Sequence, residues 1–198
     1  MESTLTQEGL APKDKSHVPG EVGIWVFIMG DMMIFGILFC TFLFYRAEDV
    51  ELYIQSQSTL NQNYGAINTL FLLASSWFVV MGVEAARRFK TQLATAMLGS
   101  AFACGIGFGV VKILEYSEKV QAGLTLTTND FYMFYYMLTG IHFLHVIIGL
   151  VVLAFLVNKV RRPLNKPGEL MVLESGASYW HMVDVLWIVL FPLIYLLK

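Results

Sequence analysis

A histidine and an aspartate stand three residues apart in Ser178-Tyr179-Trp180-His181-Met182-Val183-Asp184-Val185-Leu186-Trp187, a stretch otherwise apolar enough to cross a bilayer. At helical spacing, His181 and Asp184 share one face, where they can satisfy each other or a neighbouring helix; that face should point into protein. Asp31 is a second buried carboxyl, flanked along its helix by Phe27, Ile28, Ile34, Phe35 and Leu38. Desolvation favours its neutral form unless a cation or several donors reach it, so it reads either as a protonated carboxyl or as a hydrogen-bonding tie to another helix. His142 and His145 are again three apart. Two imidazoles could share a metal, but zinc and copper sites normally want three or four ligands, and the only other histidine in a span is His181. Hydrogen bonding between helices is the simpler role for them, and for Glu84 and the pair Lys112 and Glu115. Cys40 and Cys104 lie in separate spans without Cys-x-x-Cys spacing and read as small buried apolar residues. No phosphate loop, nucleophile elbow, His-Glu-x-x-His pair or haem-attachment motif occurs. Four histidines in all cannot furnish a haem-plus-copper centre.

These groups need elements to hold them. Of the 198 residues, 57% are hydrophobic and 14% charged, well short of the roughly one quarter charged in soluble domains. The fold class is therefore all-α and integral to the membrane. Five stretches reach the roughly 20 apolar residues that a spanning helix needs, at about 22–45, 66–86, 93–115, 131–157 and 178–197. Residues 1–21 form a polar tail and 22–198 a single five-helix membrane domain. Nine basic residues fall on one side: Lys13, Lys15, Arg87, Arg88, Lys90, Lys159, Arg161, Arg162 and Lys166. Arg46, Lys119 and Lys198 fall on the other, which predicts a cytoplasmic N-terminus and an external C-terminus. A net charge of −2 with no basic helix gives no sign of nucleic-acid binding.

Within the spans, Gly99, Ala103 and Gly107 form a small-residue ridge suited to close helix contact. Phe131 to Tyr136 reads as an aromatic belt at the external interface, after an N-cap at Asn129-Asp130. Pro163, Pro167-Gly168 and Gly176 read as turn chemistry before the last span, which Pro192 should kink.

Taken in order, the motifs resemble subunit III of the haem-copper respiratory oxidases. The last span is similar to that family's aromatic-Trp-His-x-Val-Asp-Val-x-Trp motif, and Gly140-Ile141-His142-Phe143-Leu144-His145-Val146-Ile147-Ile148-Gly149 to its Gly-x-His-x-x-His-Val-x-x-Gly motif. Asn68-Thr69 before Leu72-Leu73-Ala74-Ser75, and Leu114-Glu115-Tyr116, look like further family helices. Asp31 stands where the family carries an intramembrane carboxylate. The five spans match its shorter members, which lack the two N-terminal helices that form one arm of a lipid-holding cleft. The opening Pro19-Gly20-Glu21-Val22-Gly23-Ile24-Trp25-Val26-Phe27 looks like the branch associated with nitric oxide reductases. The resemblance implies a non-catalytic subunit of the bacterial inner membrane. It would hold no cofactor or metal, sit among membrane lipids, and pack against a catalytic subunit bearing haem with copper or iron, supporting assembly, stability and proton uptake. Asp31, Glu84, Glu115, His142, His145, His181 and Asp184 would be its internal polar scaffold. Two other readings stay open: a small transporter or proton channel using Asp31 and the histidines, and a haem-binding membrane cytochrome.

Overall fold

The computed structural model describes residues 20–162 and 167–197. Lys13, Lys15 and His17 of the tail, with Pro163, Lys166 and Lys198, lie outside the described residues. The elements are α1 (Val22–Glu48), α2 (Val50–Ser58), α3 (Gln62–Arg87), α4 (Thr91–Gln121), α5 (Asp130–Val160), α6 (Pro167–Phe191) and a π-helical end, Pro192–Leu196. No strand occurs among the described residues. Five helices are long and apolar enough to span a membrane, as the sequence predicts. Each runs past its apolar stretch; the 31 residues of α4 extend about 46 Å, more than the roughly 30 Å of hydrocarbon.

α3 packs on α4, α4 on α5, α5 on α6 and α6 back on α3, so four helices close a ring, with α1 leaning on α5 and α6. α6 is the most enclosed, with 56% of its apolar window buried against 17% for α1. Trp180 of α6 is the joint. A Cβ on Gly105 of α4 would come within 2.9 Å of its ring, and one on Gly149 of α5 within 2.6 Å. Its Nε1 donates to Ser75 Oγ of α3 at 3.0 Å, and Ser75 Oγ donates to the Ala101 carbonyl. α1 meets the ring through a narrow seam of Ile28, Phe35 and Phe42, seven residues apart, the spacing of a helix touching its neighbours along one stripe.

Several local expectations change. α2 occupies part of what reads as a plain external loop; Asp49 starts it by accepting from the Leu52 amide. It covers the α5 entrance, so Phe131, Tyr132, Phe134 and Tyr135 are buried within the protein instead of forming a lipid-facing belt. The Asn129 cap holds, with its side chain accepting from the Tyr132 amide at 3.0 Å. The last helix starts at Pro167, eleven residues before the sequence-predicted span, so Gly168 and Gly176 are helical. Gly176 is there for proximity: a Cβ would sit 2.7 Å from Leu156. The ridge of Gly99, Ala103 and Gly107 is not the packed face of α4. Ala103 is exposed and nothing lies near Gly99, though a Cβ on Gly107 would come within 3.0 Å of Phe71; Ala101, Gly105 and Gly109 are buried. Cys40 is exposed and Cys104 half-buried. Pro192 widens the helix instead of breaking it: the Leu197 amide donates to the Pro192 carbonyl at 2.9 Å, a π turn.

Helices α3 and α4 both finish as Schellman ends, with the sixth amide returning to the first carbonyl. After α4 the left-handed position is Gly123, with Leu124 donating to Lys119. After α3 the same position is filled by Phe89, at φ 57°, with Lys90 donating to Ala85. A side chain in that backbone region costs about 1–2 kcal/mol.

Candidate functional site

The polar side chains that the sequence singles out separate into three places along the bundle. In the first, Asp31 of α1 faces His145 of α5, Oδ1 to Nε2 at 3.2 Å, with the side chains 11% and 13% exposed. His145 Nδ1 lies 2.8 Å from the Ile141 carbonyl. A carbonyl only accepts, so Nδ1 carries hydrogen, and Nε2 either accepts from a neutral carboxyl or donates to a carboxylate. The contact joins α1 to α5. Phe35 lies edge-on to the imidazole, and Tyr179 of α6 donates to the His145 carbonyl at 3.3 Å.

The second place is the centre of the ring. His142 shares a helix with His145 but points elsewhere, between the rings of Phe108 (5.8 Å) and Trp187 (5.3 Å), fully buried. Neither of its nitrogens, nor the amide of buried Asn68, has a hydrogen-bond partner. The imidazoles of 142 and 145 therefore do not form a shared pair. Among the described residues no three histidine, cysteine or acidic side chains converge as metal ligands would.

On the other side of Trp187 this second place continues into the most heavily bonded cluster. Lys112, with no exposed surface, donates to Glu115 Oε2 at 3.0 Å and to the hydroxyls of Tyr195 (3.0 Å) and Tyr135 (3.4 Å). The ammonium also stands about 5 Å from the ring centres of Tyr116 and Tyr135. Tyr195 donates to Glu115 Oε1 at 2.6 Å. Every charge is paired and hydrogen-bonded, as burial requires. The Lys112 and Glu115 pair is predictable at i, i+3; Tyr195 and Tyr135 arrive from distant helices, and only their tyrosine identity signals the role. The π-helical end that carries Tyr195 is tied down as well. Gln57 donates to the Ile194 carbonyl, Gln62 to that of Tyr195 and Arg46 to that of Leu197. These are the carbonyls that a helix end leaves unsatisfied. Close by, the α2 residue Tyr53 has its hydroxyl pushed up to about 12 by burial and the nearby Asp130 carboxylate.

The third place is the opposite end of the bundle. His181 Nδ1 lies 2.8 Å from Ser76 Oγ and 3.7 Å from Asp184 Oδ2, beyond hydrogen-bond length. Asp184 is buried as the sequence predicts, while His181 is 34% exposed and lines a groove of about 530 Å³ with Trp25, Glu84, Arg87 and Glu174. Glu84 accepts from Arg88 at 2.8 Å, and Arg87 donates to Glu174 at 2.8 Å. Glu174 also lies 3.3 Å from the Gly20 amide, which joins the start of α1 to α6. Phe108 and Trp187 wall His142, and Trp187 also faces Lys112. The polar groups thus form separate joints and not a continuous lining, which disfavours the transporter reading.

The comparisons agree with this architecture. The family model described as cytochrome c oxidase subunit III matches residues 15–198. Cytochrome c oxidase subunit 3 of Thermostichus vulcanus is 30% identical over 217 residues, covering 100% of this chain and 98% of that protein. The Synechocystis protein of the same name is 33% identical over 211 residues, covering 100% and 88%. Heme-copper oxidase subunit I+III of Aeropyrum pernix is 31% identical over 193 residues, covering 93% of this chain and 23% of that protein. The chain is a multi-pass membrane protein and belongs to the cytochrome c oxidase subunit III family.

Proposed function

We propose that this chain is an accessory subunit of a haem-copper oxidase, packing against a catalytic subunit that bears haem with copper or iron and supporting its assembly, stability and proton uptake. The observation that carries the reading is the alignment of essentially the whole chain with subunit III proteins. The Aeropyrum relative, whose name joins subunits I and III in one polypeptide, supports a subunit I as the partner. Within the chain, Asp31, Glu84, Glu115, His142, His145, His181 and Asp184 serve as scaffold: where they are bonded, their partners lie on other helices or a turn away. Residues 22–198 are the membrane domain and 1–21 its tail. The count of basic residues supports a cytoplasmic N-terminus and external C-terminus, in a bacterial inner membrane. A nitric oxide-reducing partner is the second reading, favoured by the opening Pro19 to Phe27 motif.

A tagged copy purified in mild detergent tests this. A co-eluting large subunit with the visible spectrum of haem is expected, and turnover with oxygen or nitric oxide tells the two partners apart. Elution of the chain alone, from a host whose oxidase is intact, would contradict it.

A further inference from the structure

Phe89 occupies a left-handed backbone position that the matching turn at the other end of α4 gives to glycine, and it is 75% exposed. The left-handed backbone closes the end of α3 through the Lys90 to Ala85 bond, a job that glycine does without strain; the ring takes no part in it and is held exposed where a residue without a side chain would sit more easily. Its neighbours indicate what it meets. The turn is only Arg88, Phe89 and Lys90, between two helices long and apolar enough to span a membrane. Val80 and Met81 on α3 and Leu93 on α4 are exposed just inside it. Around it, Arg87, Arg88, Lys90, Lys159, Arg161 and Arg162 gather at this end of the bundle, against Glu21, Glu84, Glu169 and Glu174. Arg88 keeps 66% of its side chain exposed while bonded to Glu84.

We infer that Phe89, flanked by Arg88 and Lys90, is a built anchor for an anionic lipid surface, its ring seated at headgroup level and the basic side chains among phosphates. An aromatic ring with cationic neighbours at the end of spanning helices is the chemistry that such an interface takes.

The test compares thermal stability of the full chain in neutral detergent, in phosphatidylcholine vesicles, and in vesicles that also contain phosphatidylglycerol. Phe89→Ala removes the ring and keeps the backbone strain; Phe89→Gly removes both. In detergent, Phe89→Ala should match wild type and Phe89→Gly should melt a few degrees higher. In phosphatidylglycerol vesicles wild type should melt above Phe89→Ala, with the gap shrinking as salt rises. Separately, Phe89→Trp should be quenched by lipids brominated near the headgroup and little by lipids brominated near the chain ends. Identical melting of wild type and Phe89→Ala in every lipid would overturn the assignment. So would loss of the catalytic subunit from Phe89→Ala preparations with no lipid effect, which would give the ring to a protein pocket. Lipid dependence in the isolated chain stands or falls independently of the proposed partner.

Discussion

Two buried ionic arrangements do different work, and substitutions separate them. Lys112 and Glu115 have no exposed surface, so removing one partner leaves a lone charge in a medium that cannot solvate it. Lys112→Met should destabilise by about 3–5 kcal/mol, while Lys112→Met with Glu115→Leu should recover most of that. Denaturation in mixed micelles measures both, and a double variant no better than the single would count against a paired charge. The Asp31 and His145 contact is lighter. Polar contacts between membrane helices average about 0.6 kcal/mol and reach about 1.7, so Asp31→Leu should loosen α1 by that order. Asp31→Asn, whose amide can still donate to Nε2, should be nearly silent. Cysteine crosslinking from α1 to α5 reads this out; equal loosening by Asn and Leu would show that the facing atoms do not share a hydrogen bond. At this scale the sequence is informative about residue types and poor about partners. Lys112 and Glu115 pair at their spacing, but His142 and His145, at the same spacing, part because different neighbours take them, Trp187 of α6 and Asp31 of α1. The joining of Glu115 to Tyr195, eighty residues on, needs the fold.

Helices of this chain meet where glycine lets an aromatic in. Gly149→Ala places a methyl 2.6 Å from the Trp180 ring, which must push a fully buried indole off its bond to Ser75. The expected loss is about 1–3 kcal/mol, with a changed Trp180 environment in near-ultraviolet circular dichroism. Gly99→Ala, with nothing within 4 Å, is the control and should be neutral or mildly stabilising; a deficit as large as that of Gly149→Ala would contradict the packing described. The number and order of spanning helices can be read from hydropathy, since the bilayer fixes their length. Which face of each helix packs is harder to read, because a spanning helix is apolar all round. The spacing of Gly99, Ala103 and Gly107 is as regular as that of Ala101, Gly105 and Gly109, and only the neighbours that the fold brings, Trp180 beside Gly105 among them, distinguish them. The α2 helix escapes hydropathy reading because it is short and mixed in polarity. The early start of α6 escapes it because Glu169 and Glu174 interrupt the apolar run.

For the whole molecule, the proposed function has the internal polar groups join helices and leaves the electrons to another subunit. Trp180 closes the four-helix ring, and Arg46, Gln57 and Gln62 hold the C-terminal end. Membrane character and the order of the family motifs are legible in the sequence along the whole chain; the division of the polar residues into three separate joints is not, since it depends on the depth at which each side chain meets its neighbour. The most direct measurement is oxygen consumption by the purified complex with this chain present and after its selective removal. The account predicts that the depleted complex starts at a comparable rate and then loses activity sooner over repeated turnover. A depleted complex with no initial turnover, restored only by adding this chain back, would contradict it.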